Sequence, residues 1–150
     1  MRAEGVRRNV TEETETRADG MAGIRDVVSV RLPAESAYLS VLRTATAGLA
    51  ARLDFTLDEI EDLRIAVDEA CAMLLSHAVP GTDLLAEFEL TGQEMEVRVE
   101  VSTVGSTTPK RDDFAWMVLT ALADEVDAVT GSPDRMAIVL RKRRSMARPT

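Results

Sequence analysis

A chain of 150 residues, 45% hydrophobic and 29% charged, has the length and composition of one globular domain with a single core. No apolar run approaches the roughly 18 residues of a membrane span, and one cysteine with one histidine leaves no internal disulfide and no ligand set for structural zinc. The net charge of −8 is uneven: residues 23–140 hold nine basic against 21 acidic side chains, −12 in all, whereas 141–150 hold five basic and none acidic. An acidic body repels phosphate backbones and draws basic protein surfaces, so the expected partner is a protein and not nucleic acid.

Residues 1–22, with four basic and five acidic side chains, have too few apolar groups to offset the entropy of ordering and read as a disordered lead. Met1–Gly20 has no apolar stretch to serve as a signal peptide or anchor, and a cytoplasmic location is expected. Asp26–Leu32 is β-branched and stops at Pro33, which has no amide hydrogen to give, so a strand comes first. From Glu35 to Leu53, Leu39, Leu42, Leu49 and Leu53 recur at helical spacing, with Tyr38, Val41, Ala45 and Ala50 widening the stripe.

A second helix should start at Leu57. Thr56 and Glu59 have the spacing of a capping box, and Phe55 and Ile60 that of a hydrophobic staple. Its core stripe is Ile60, Leu63, Val67, Cys71 and Leu74, and it should end near His77, before Pro80-Gly81. Two alternating runs follow, Leu84–Leu90 and Met95–Val101, turned at Thr91-Gly92-Gln93 into an antiparallel hairpin with one buried and one wet face. A third helix opens at Asp112-Asp113, with a carboxylate suited to the N-cap, and repeats apolar residues at Phe114, Met117, Val118, Ala121 and Leu122. Trp116, off that stripe, is expected to be the exposed aromatic. Two last strands, Glu125–Val129 and Met136–Arg141, complete a two-layer α+β sandwich of three helices on a mainly antiparallel sheet. The expected organisation is a lead (1–22), one domain (23–142) and a basic, solvated tail (143–150).

This order of elements, with the segments Asp62-Leu-Arg-Ile-Ala-Val-Asp-Glu-Ala-Cys-Ala-Met-Leu-Leu-Ser-His77 and Met117-Val-Leu-Thr-Ala-Leu-Ala-Asp-Glu-Val126, resembles the anti-sigma regulatory factors. These are the RsbW-like serine-protein kinases of the GHKL, or Bergerat-fold, ATPase superfamily. The resemblance spans residues 26–142 and implies that fold. It also implies a homodimer, an RNA polymerase sigma factor as the protein held, and an anti-anti-sigma protein with a STAS domain as the antagonist that frees it.

The resemblance sets expectations residue by residue. Its N-box pairs a glutamate, thought to be the general base, with an asparagine one helical turn on that holds magnesium. Glu69 stands at the first place and Met73 at the second, and a thioether is a poor ligand for a hard cation. The adenine-reading aspartate falls on Val101 and the glycines after it in the stretch to Gly105, where Thr103 would have to become glycine along with Met73→Asn before phosphotransfer is expected. The ATP-lid glycines fall near Asp113 and Ala115, a carboxylate where phosphate would sit. ATP with magnesium is therefore expected to bind weakly or not at all. Glu69 stays as a vestigial base, Cys71 reads as core, and His77 as a partner for the helix dipole.

On the partner side, the family's sigma-contacting arginine falls on Arg43, with Leu39, Ser40 and Ala47 on the same helical face. The expected function is sequestration of a sigma factor. The alternative is an ATP-dependent serine kinase acting on the anti-anti-sigma protein, and a third reading has residues 141–144 binding nucleic acid.

Overall fold

The computed structural model describes residues 2–10, 24–105, 113–130 and 132–145. Among them six strands, β1 (Arg2–Val10), β2 (Ile24–Pro33), β3 (Asp83–Thr91), β4 (Glu94–Ser102), β5 (Glu125–Val129) and β6 (Arg135–Arg143), form one sheet in the order β1-β2-β3-β4-β6-β5. Every neighbouring pair is antiparallel. Three helices, α1 (Leu39–Arg52), α2 (Leu57–Leu75) and α3 (Phe114–Leu122), form the second layer. Helix α2 packs against α1, α3, β4 and β6.

The central hairpin follows from its alternation. Leu84, Ala86, Phe88 and Leu90 of β3 pair with Val101, Val99, Val97 and Met95 of β4; each is buried, while the residues between them are half-buried. Gly92 and Gln93 form the turn, and a loop that short fixes the register; one residue of slip would turn every apolar side chain outward. The capping box also forms: Glu59 N–H donates to Thr56 Oγ1 at 3.1 Å, and Thr56 N–H donates to Glu59 Oε1 at 2.7 Å. Helix α2 starts at Leu57, as that motif requires. It buries Leu63, Ala66, Val67, Ala70, Cys71 and Leu74.

A 3₁₀ turn, Ser36–Tyr38, precedes α1, so the α-helix itself starts at Leu39 and not at Glu35. Thr46 lies within the apolar face of α1, fully buried, because its hydroxyl donates to the Leu42 carbonyl at 2.6 Å and leaves no donor unpaired.

Four features depart from the sequence reading. The composition of residues 1–22 argues for disorder, but Arg2–Val10 pairs with β2 from Arg2↔Arg31 to Val10↔Ile24. An edge strand is held by its backbone ladder, which apolar content does not report; residues 11–22 lie outside the described residues. The second departure is the basic end, which is no free tail up to Ser145. Strand β6 runs to Arg143, Arg144 N–H donates to the Gln93 carbonyl at 2.7 Å, and Ser145 N–H to Glu59 Oε2 at 2.7 Å. Residues 146–150 of that expectation lie outside the described residues.

Third, α3 is turned the other way. Trp116 and Leu119 are buried, at 6% and 0% exposure, while Phe114 and Met117 stand out at 76% and 60%. In Phe-Ala-Trp-Met-Val-Leu-Thr-Ala-Leu only Thr120 is polar, so the sequence has no contrast from which to read the buried side. Fourth, the N-cap of α3 is Asp113, but its carboxylate makes no capping hydrogen bond; Asp112 lies outside the described residues.

Candidate functional site

Glu69 and Met73 are one turn apart on α2, on the flank that also carries Asp62 and Ala66. Asp62 lies 3.8 Å from Lys142 Nζ, which donates to the Leu122 carbonyl at the end of α3 at 2.9 Å. This flank therefore faces α3, and Glu69 and Met73 share it, as their helical spacing requires. Glu69 is half-buried. Met73 is partly buried against the main apolar cluster, so its side chain is part of the packing between helix and core.

Val101 is fully buried in β4, between Leu84 of β3 and Met136 of β6. It belongs to the cluster that includes Cys71, Leu74, Trp116 and Leu119. The next inward position, reached by the alternation Val97, Val99, Val101, is Thr103. Thr103 is 4% exposed. Its N–H donates to the Asp134 carbonyl at 2.8 Å and its hydroxyl to the Gly105 carbonyl at 3.0 Å. Gly105 has φ +69°, a left-handed turn that glycine adopts without strain.

Among the described residues, the flank of α2 and the end of β4 offer a magnesium nucleotide few oxygen ligands. Magnesium requires oxygen ligands in near-octahedral array, and the flank of α2 supplies one carboxylate beside a thioether. At the end of β4 the side chains are a buried valine and a hydroxyl already donating within its own loop. Among the described residues no three His, Cys, Asp or Glu side chains are grouped to hold a metal ion, and no helix is long and apolar enough to cross a membrane. Cys71 is no nucleophile: burial, reinforced by Asp68 and opposed by Arg43, pushes its thiol from 9.0 up to about 12.

The other candidate surface is the outward face of α1. Arg43 Nε lies 2.9 and 2.7 Å from the two Asp68 oxygens of α2, with the two side chains 44% and 36% exposed. A pair so exposed contributes about 0–1 kcal/mol; its effect here is to hold the guanidinium over the α1–α2 seam. Ser40 is exposed and Ala47 half-buried beside it. Leu39 is not on this surface; at 7% exposure it is part of the core. Thr44 and Gly48 extend the exposed strip, and a Cβ added at Gly48 would meet nothing within 4 Å.

Comparison with known proteins follows this geometry. A model of the histidine kinase-like ATPase domain matches residues 32–142. The serine-protein kinase RsbW of Listeria monocytogenes (serotype 4a, strain HCC23) is 38% identical over 82 residues, 53% of this chain and 52% of the relative. The serine-protein kinase RsbW of Bacillus subtilis (strain 168) is 38% identical over 76 residues, 51% of this chain and 47% of the relative. The chain thus spans about half the length of the curated relatives it matches. A crystal structure of the RsbU and RsbW domains of a Mycobacterium tuberculosis protein superposes with a TM-score of 0.61 at 16% identity, covering 81% of this chain and 33% of that one, a likeness of fold.

Proposed function

The chain belongs to the histidine kinase-like ATPase domain family, in its RsbW-like group, and on that footing we propose that it is a cytoplasmic anti-sigma factor that acts by binding alone. It holds an RNA polymerase sigma factor away from the polymerase and gives it up to an anti-anti-sigma protein of the STAS type. The carrying observation is Met73. The helix that would present a magnesium ligand is intact, but the side chain at that place is a thioether packed against the core, which takes away phosphoryl transfer and leaves the binding surface.

The sigma-binding surface in this reading is the outward face of α1 around Arg43, with Ser40 and Ala47. An arginine held by one carboxylate and surrounded by small side chains can form a contact in which its neighbours exclude water. The acidic body raises the rate of encounter with a basic sigma surface. The test is titration of the full chain with candidate sigma factors. Arg43→Glu should weaken binding by more than about tenfold, about 1.4 kcal/mol, with the unfolding midpoint changed little. Unchanged affinity in a folded variant would remove this face from the account.

A further inference from the structure

A second surface, on the opposite flank of α2, is built for a partner. Helix α3 is apolar nearly all round, and such a helix is ordinarily buried on every side. Here only Trp116 and Leu119 are buried within it. Phe114, Met117 and Ala121, spaced i, i+3 and i+7 on one outward face, are exposed; two of them are among the largest exposed apolar side chains described. On the neighbouring α2, Ile65 also faces outward, 40% exposed.

The charge beside this patch is mainly negative: Asp62 and Glu69 lie on the flank of α2 that faces α3, and the one cation there, Lys142, is largely buried against the Leu122 carbonyl and near Asp62. The other carboxylates of α2 are turned elsewhere: Asp68 holds Arg43 on the α1 side, Glu61 pairs with Arg64 at 2.9 Å, and Glu59 is engaged at the cap and with Ser145. Asp113, at the N-cap position with its carboxylate unused in capping, stands at one end of α3, and Asp124 follows the other. Nucleic acid and anionic lipid are repelled by such a rim. A second copy of the chain would bring the same patch to a two-fold contact and set the acidic α2 of each copy near the other's.

We propose that the outward face of α3, centred on Phe114 and Met117 and flanked by Asp62, Glu69, Asp113 and Asp124, is a docking surface for a basic amphipathic helix of another protein. The apolar side chains supply the buried contact, and the carboxylates select lysine or arginine on the partner's flanks. This surface is separate from the Arg43 face.

The probe is a synthetic leucine–lysine amphipathic helix about five turns long, with a matched peptide in which glutamate replaces every lysine. Trp116, the chain's one tryptophan, lies on the buried side of α3 and reports binding by fluorescence. The lysine peptide should bind the full chain and the glutamate peptide should not. The exposed double variant Phe114→Ser/Met117→Ser should fold with an unchanged circular dichroism spectrum, keep its full charge, and bind the lysine peptide at least about tenfold more weakly. Equal binding by this variant would reduce the interaction to charge alone and overturn the proposal. A dimer in sedimentation that dissociates in the same variant would overturn it in favour of a second copy, as would vesicle binding that depends on Phe114 in favour of a membrane. Arg43→Glu is read with sigma factor and not with these peptides, so failure of one surface is distinguishable from failure of the other.

Discussion

Gly48 lies mid-helix in α1, exposed, with open space where a Cβ would go. A glycine in that setting costs about 0.5–1 kcal/mol relative to alanine, through the backbone freedom lost on folding. Gly48→Ala should therefore raise the unfolding free energy in urea by that amount, moving the midpoint up with the slope unchanged; a loss of stability would mean that the helix surface is more crowded than it is here. Other single residues follow the same logic of surroundings over identity. Arg43 and Asp68 were each readable as solvated charges, and the structure joins them across 25 positions of sequence. Cys71 was legible as core from its place on the apolar stripe, and its raised thiol pKa follows from that burial.

Among the elements, α2 was the most legible, because its signal is local. The capping box needs only Thr56 and Glu59, and Glu59 has a further bond that the sequence does not reveal, from Ser145 N–H. Burial pushes the Glu59 carboxyl up, but the hydrogen bonds from Thr56 and Ser145 together hold it below its ordinary 4.5. A carboxyl with a lowered folded pKa contributes stability that is present above the unfolded value and lost as pH falls through the folded one. Stability should thus drop below about pH 4.5, and Glu59→Gln should flatten that part of the pH profile in chemical denaturation; an unaltered profile would contradict the assigned bonds. The buried side of α3, a helix whose existence and start were legible, and the whole of strand β1 were the illegible parts, for different reasons. The phase of an amphipathic helix is set by polar residues, and α3 has one; a strand at a sheet edge is specified by a ladder to β2 that its own side chains do not announce.

At the scale of the whole molecule, the acidic body and the basic end are one electrostatic unit. Arg141 lies among Glu94, Glu96 and Glu125, Arg143 against Glu94 and Glu125, Lys142 near Asp62 and Arg144 near Asp54. Cations engaged in this way are poorly placed to meet phosphate, which weighs against nucleic-acid binding through residues 141–144. The fold class and the helix–sheet layering were legible because alternation and helical periodicity are local. These pairings were not, because the partners lie 16 or more residues away in sequence. The molecule keeps the scaffold of its family, with Val101 and Trp116 in the core and Met73 packed against it; that the side chains of Met73 and Val101 supply no oxygen ligand is the ground for the proposed action by binding alone. The most direct test is calorimetric titration of the full chain with magnesium-ATP, beside a relative named as a serine-protein kinase. No saturable heat up to millimolar nucleotide, with sigma affinity the same in its presence, is the predicted result; micromolar binding, or transfer of phosphate to a STAS-domain protein, would contradict it.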